Sequence, residues 1–229
     1  PNHTCHFGNM DNIHRFYFKP PLADNYWGHI FSEVYKDLIY TPFLPQKKEN
    51  TTCLEVGGNV GIVSYYFSQY FEKVIVLEPA IEHYDLLIRM LKDNNITNVK
   101  AIPKALYLEN TKLPFFHNKN KTMYSLHMGV DDKSSPPEEV ETITFDKLFK
   151  DENIEHVDLL KADVEGTEFE LFASEGFRKV ASKIDTIVTE KHSWSGRNSN
   201  QLDEAFKNNG FRVSKIASSA DIVVAQRIK

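Results

Sequence analysis

Cysteine is scarce in this chain of 229 residues: there are two, Cys5 and Cys53, and Cys53 falls in an apolar run of strand character. A disulfide framework is therefore not expected, and a reducing, cytoplasmic setting is. No apolar run approaches the roughly 20 residues of a membrane span. No secretory signal is visible, so the sequons at Asn2, Asn50, Asn95 and Asn120 are expected to go unused. Charge of one sign is not in excess: 27 Lys and Arg against 32 Asp and Glu leave a net charge of −5, which argues against broad binding to nucleic acid or an anionic membrane. Also missing are a G-x-S-x-G elbow, a P-loop and an H-E-x-x-H helix, and with them the usual marks of hydrolases and nucleoside triphosphatases. With 41% apolar and 26% charged residues, the composition is that of a globular protein. The length suits one large domain able to bury about 70% of its unfolded surface.

Glycine is sparse too, ten residues in all, yet three stand within five positions, at Gly57, Gly58 and Gly61. An apolar run, Cys53 to Val56, precedes them, and apolar residues at helical spacing follow from Val60. Strand, tight turn, helix is a geometry in which backbone N–H groups and a helix N-terminus can approach a cofactor. The glycines permit positive φ and put no Cβ before the ligand, and Asn59 tolerates the left-handed region and is placed to cap a helix from Val60. A dinucleotide fingerprint would need glycine where Asn59 and Ile62 stand. Instead Glu55 precedes the first glycine by two residues, giving E-x-G-x-N-x-G. This resembles the first motif of class I methyltransferases, whose cofactor carries an ammonium group in place of a pyrophosphate. An ordinary glycine-rich turn is the plainer alternative.

Residues 1–25 hold His3, Cys5, His6 and His14 at a spacing that fits no standard zinc pattern, so a mobile leader is expected. Tyr26 to Tyr40 reads as an amphipathic helix, with Trp27, Ile30, Phe31, Val34 and Leu38 on one face. Lys73 to Leu77 is a continuous apolar run suited to a central parallel strand, closed by Glu78-Pro79. Glu78 stands about 20 residues after the turn, where doubly wound folds place the carboxylate that binds ribose. A helix from Ile81 to Asn94 and a strand from Val99 to Ile102 follow. Residues 103–145 are irregular, with short runs at 113–116 and 124–126 that suggest added antiparallel strands or a lid; Val140 to Thr144 alternates like a strand and leads to a helix from Asp146. Val157 to Gly166 reads as a buried strand whose end carries Lys161, Asp163 and Glu165 on one face by the period of two. Ile184 to Glu190 is another strand, ending in Glu190-Lys191-His192. A helix from Leu202 to Asn209 and a hairpin, 211–216 with 220–227, close the chain.

Taken together, Glu55-Val56-Gly57-Gly58-Asn59-Val60-Gly61, Glu78-Pro79, the segment Val140 to Leu148, and Lys161-Ala162-Asp163-Val164-Glu165-Gly166-Thr167-Glu168 resemble, in order, the motifs of the FkbM family of S-adenosylmethionine-dependent methyltransferases. The resemblance covers about residues 52–176, with Glu55 for the usual Asp and Gly58 for the usual Ala; the first 50 residues match nothing. It implies an α/β fold: a doubly wound, mostly parallel, Rossmann-like sheet of seven strands with an antiparallel last strand. An N-terminal helical extension (1–50) and a small inserted β region would accompany a methyltransferase domain (51–229). The implied cofactor is S-adenosyl-L-methionine, held by Glu55, Gly57, Gly58, Asn59, Gly61, Glu78, Pro79, Ala105 and Asp163. The implied acceptor is a sugar or another small molecule with a hydroxyl. Asp163, Glu165 and His192 are the candidate catalytic groups, since they project from adjacent strand ends. Plainer roles are cofactor binding for Asp163, capping of a helix from Gly166 for Glu165 and Glu168, and a solvent-exposed loop for His192. A divalent metal on Asp163, Glu165, Glu190 and His192 is a further option. Two other readings stand beside the enzyme: a protein that binds the cofactor without turnover, opposed by the intact Glu55, Glu78 and Asp163, and an NAD-dependent oxidoreductase, opposed by the glycine spacing and the closing hairpin.

Overall fold

The computed structural model describes residues 3–7, 14–18, 24–117, 124–126, 136–192, 199–216 and 219–228. Its centre is a seven-stranded sheet built on β3 (Thr52–Val56). To one side of β3 lie β4 (Lys73–Leu77) and β5 (Val99–Ile102); to the other lie β10 (Val157–Ala162), β11 (Ile184–Glu190), β13 (Ser219–Arg227) and, at the edge, β12 (Phe211–Ile216). The inner pairs are parallel, while β13 runs antiparallel between β11 and β12. That is the seven-stranded arrangement expected, with the last strand reversed.

The apolar runs are continuous because both faces of the sheet are covered. On one face Leu54, Val56, Ile75, Leu77, Leu160 and Ala162 meet the helices α4 (Phe145–Asp151), α5 (Glu168–Ala173), α6 (Glu175–Val180) and α7 (Ser199–Asn208). There Phe145, Phe172, Phe177 and Phe206 pack ring to ring at centroid distances of 4.7–6.3 Å. Each such fully buried ring contributes about 1.5–3 kcal/mol. On the other face the alternate residues Cys53, Val74 and Leu159 meet α1 (Asp24–Tyr35) and α2 (Ile62–Tyr70), and Val76 meets α3 (Ile81–Asp93).

Beyond β5, the chain builds a second sheet of β6 (Ala105–Leu106), β9 (Glu138–Ile143), β7 (Lys112–His117) and β8 (Tyr124–Ser125), in that order. β7 is antiparallel to both its neighbours, as expected for the inserted region. Phe115, Tyr124 and Val140 pack with Ala80 and Ala105, so the insertion sits against the C-terminal ends of β4 and β5.

Three expectations need correction. The leader holds an antiparallel pair, β1 (His3–Phe7) and β2 (His14–Phe18), where a mobile segment was expected. The first helix stops at Tyr35, five residues before Tyr40, because Leu38 takes a left-handed φ of 54° and turns Ile39 and Tyr40 into the core. β10 ends at Ala162, so the alternation of a strand does not reach Asp163 and Glu165; Glu165 has φ 50° and Gly166 φ 102°, a tight turn.

Candidate active site

The glycine turn after β3 is shaped by the protein around it. A Cβ on Gly57 would stand 2.1 Å from the Asp163 carbonyl oxygen, and one on Gly58 2.2 Å from the Val76 side chain. The glycines thus meet a packing demand of the turn after β10 and of β4, while the left-handed φ values of Gly57 (82°) and Asn59 (50°) turn the chain. Every N–H from Gly57 to Gly61 donates to a protein oxygen. Gly57 and Gly58 donate to Leu77 O, Asn59 to Glu78 Oε2, Val60 to Asn59 Oδ1, and Gly61 to Gly58 O. The N–H approach to a ligand read from the sequence is therefore already spent on the protein. α2 also begins at Ile62, with Gly61 as its N-cap, so Asn59 caps the turn and not the helix.

Three charged groups brace this turn. Glu55 is fully buried on β3 and accepts from Ser64 Oγ at 2.6 Å; burial pushes its carboxyl up to about 7 against the pull of Lys161. Lys161, on the same face of the neighbouring strand, donates from Nζ to Gly57 O at 2.9 Å and lies 3.6 Å from Asp163 Oδ2. Glu78 accepts from Asn59 N at 2.7 Å and from Ala80 N at 2.8 Å, and burial pushes it, too, up to about 7.

Two cavities flank the turn and share Gly57, Asn59 and Asp163. The first, about 630 Å³, is walled by Glu78, Pro79, Lys104, Ala105 and Leu106, by Phe115 and Tyr124 of the inserted sheet, and by Glu165. The second, about 600 Å³, is walled by Glu33, Ile39 and Tyr40 of the N-terminal segment, with Gly58, Lys161 and Glu190. Of the expected cofactor residues, Gly57, Gly58, Asn59, Glu78, Pro79, Ala105 and Asp163 line one cavity or both. Glu55 and Gly61 line neither; a Cβ on Gly61 would stand 2.4 Å from Met90 Cε, so its role is packing against α3.

The three expected catalytic residues do come together, though not by the pleat of a strand. His192 follows β11 and is buried, at 8% exposure, which overturns the solvent-exposed reading. Its Nε2 lies 3.3 Å from Glu165 Oε2, 3.7 Å from Asp163 Oδ1 and 3.9 Å from Glu190 Oε1, and its Nδ1 lies 3.3 Å from Glu168 Oε1. Glu168 is fully buried; it accepts from His192 N at 2.6 Å and from Gly166 N at 3.0 Å. It heads α5, which starts two residues after Gly166, and ties the β10 turn to the end of β11 where helix capping was the plain expectation. Burial alone would lower the His192 imidazole, but Glu168, Asp163 and Glu165 outweigh it and raise it to about 9. Burial and the Asp163 charge raise Glu165 and Glu190 to about 7.

Sequence reasoning assigned no role to Lys161, Glu33, Tyr40 or Tyr124. Lys161 carried a signal, a lysine inside an apolar strand, since lysine is rarely buried without a partner. Glu33, Tyr40 and Tyr124 carried none, because only the fold brings them to the turn.

Residues 55–213 match the family model described as the methyltransferase FkbM domain. A curated relative, the methyltransferase sdnD of Sordaria araneosa, is 25% identical over 218 residues, covering 81% of this chain and 82% of its own. Among solved structures, the methyltransferase FkbM of Methylobacillus flagellatus superposes with a TM-score of 0.53 at 12% identity, over 86% of this chain and 47% of that one. A Streptococcus mutans protein classed as a methyltransferase and solved with SAH gives a TM-score of 0.50 at 10% identity, over 84% and 97%. These structural likenesses concern the fold.

Proposed function

Because the chain belongs to the FkbM methyltransferase family, we propose that it transfers a methyl group from S-adenosyl-L-methionine to a hydroxyl oxygen of a small molecule, a sugar or similar metabolite. The observation that carries the cofactor reading is the spent turn. A pyrophosphate wants free N–H donors, and the five N–H groups of residues 57–61 all donate to protein oxygens. Such a turn suits a ligand with hydroxyls, an ammonium and no phosphate.

The residues fit that group. In the first cavity Glu78 retains lone pairs for ribose hydroxyls beyond the two backbone bonds it accepts. In the second cavity Glu33, Asp163 and Glu190 offer carboxylates to an ammonium. Glu55, sealed beneath the turn, supports the site through Ser64 and Lys161 and makes no direct contact. Ile30, Glu33, Ile39 and Tyr40 wall the same cavity, which supports a share of the N-terminal segment in the site.

When bound, the cofactor supplies a methyl carbon on a sulfonium. Held there, that carbon would be open to in-line attack by the acceptor oxygen, with the sulfur as leaving group keeping the electron pair of the C–S bond. Asp163 and Glu165, at the edge of the first cavity, face the incoming hydroxyl, and its proton passes to this carboxylate cluster, where a carboxyl raised to about 7 is poised to take it. The test is incubation with methyl-labelled cofactor and a panel of sugars and other alcohols, read by mass spectrometry. Label on an oxygen supports the reading; label on nitrogen alone would sink the hydroxyl assignment.

A further inference from the structure

We propose that Asp163, Glu165 and His192 form a binding site for one divalent transition-metal cation, a reading that deepens the acceptor side of the proposed methyl transfer. Nothing in the family match requires a metal; the geometry points to one. One ligand atom from each residue can be chosen so that all three lie within 4.8 Å of one another. His192 Nε2 is 3.3 Å from Glu165 Oε2 and 3.7 Å from Asp163 Oδ1. Three ligands on one ion at bonds near 2.1 Å stand about 3.0–3.4 Å apart, so the set needs only a small closure.

The orientation of the ring adds an independent reason. Nδ1 faces the fully buried Glu168 carboxylate, which also accepts the His192 backbone N–H at 2.6 Å and so fixes the residue's place. The carboxylate–histidine pairing is the usual support of a metal-binding imidazole. With Nδ1 turned toward Glu168, 3.3 Å away, Nε2 faces two carboxylate oxygens. Asp163 Oδ1 and Glu165 Oε2 are buried and have no hydrogen-bond partner among the described residues. Four carboxyl groups, Asp163, Glu165, Glu168 and Glu190, stand around the one ring, and a cation held between His192, Asp163 and Glu165 would offset that concentration of acids. One imidazole and two carboxylates suit Mn²⁺, Fe²⁺ or Zn²⁺ and leave open positions. Those positions would face the cavity that Asp163 and Glu165 line, where a bound cation would fix and polarise an acceptor oxygen.

The experiment uses the full chain stripped with chelator and titrated with Mn²⁺ alone, read by loss of the free-ion electron spin resonance signal. One site per chain is expected, with nitrogen hyperfine coupling from a single imidazole in the bound ion's spectrum. His192→Ala should abolish it, and Glu168→Gln should weaken it 10–100-fold, as loss of an outer partner does. Absence of binding, or weak binding with no nitrogen coupling and no change in His192→Ala, would mark an adventitious ion only and overturn the proposal. The coupling is read on the unaltered protein, so a variant that fails to fold does not remove the test. Cofactor titration in chelator is run alongside: cofactor binding without Mn²⁺ binding defeats the metal site alone, and Mn²⁺ binding without cofactor binding defeats the methyltransferase reading alone.

Discussion

Glu78 has two duties: it holds Asn59 N and Ala80 N, and it faces the larger cavity. Glu78→Ala should therefore lower both melting temperature and cofactor affinity, since each charge-assisted hydrogen bond lost is worth about 1.5–3 kcal/mol. Calorimetric titration and thermal melting of the same variant check this; a variant with wild-type affinity would remove Glu78 from the cofactor's contacts. Glu55 gives a pH signature. Its folded carboxyl lies at about 7 against an ordinary 4.5, so the fold prefers it protonated. The stability this contributes is full below pH 4.5 and is lost as pH rises through 7, the opposite of a paired carboxylate. Between pH 5 and 8, the cofactor-free wild type should lose more melting temperature than Glu55→Gln; equal losses would show that Glu55 is not held protonated. Glu78 shares the shift and adds to the slope in both proteins. From the sequence Glu55 looked like a ligand, and His192 like a catalytic group or, more plainly, an exposed loop residue. Their burial depends on Ser64 nine residues on and Glu168 on another strand's turn, distances over which sequence pattern carries no information.

Strands were legible because an apolar run such as Val74–Leu77 reflects a sheet covered on both faces, and β4 ends where that run stops, at Leu77. Turns were not. The Asp163–Gly166 segment continues the polar–apolar alternation of β10 in sequence, yet a left-handed Glu165 breaks the pleat and lets the cluster form. The glycine turn was recognised for its conformation, but the reason for Gly57 is the Asp163 carbonyl just past the end of the adjacent strand. That predicts an order of costs. At Gly57 a Cβ meets immovable backbone at 2.1 Å, whereas at Gly61 it meets the flexible end of Met90 at 2.4 Å. Both positions have positive φ, which costs a non-glycine residue roughly 1–2 kcal/mol. Gly57→Ala should thus destabilise clearly more than Gly61→Ala in denaturant unfolding; the reverse order would refute the packing account of this turn.

The described residues form a seven-stranded sheet with two additions, one on each side of its glycine turn. The inserted sheet brings Phe115 and Tyr124 over one cavity, and the N-terminal segment brings Glu33, Ile39 and Tyr40 over the other. The sheet was readable because its motifs are local; the additions were not, because their residues reach the turn only through the packing of distant elements. Among the described residues no helix is long and apolar enough to cross a membrane. The central claim is that a glycine turn with its N–H groups already spent, flanked by Glu78 and the Asp163 cluster, selects a sulfonium nucleoside over a dinucleotide. Isothermal titration of the purified chain with S-adenosylmethionine, its demethylated product and NADH tests it directly. One-site binding of the first two with none of NADH is the predicted result; NADH binding without S-adenosylmethionine binding would contradict the account.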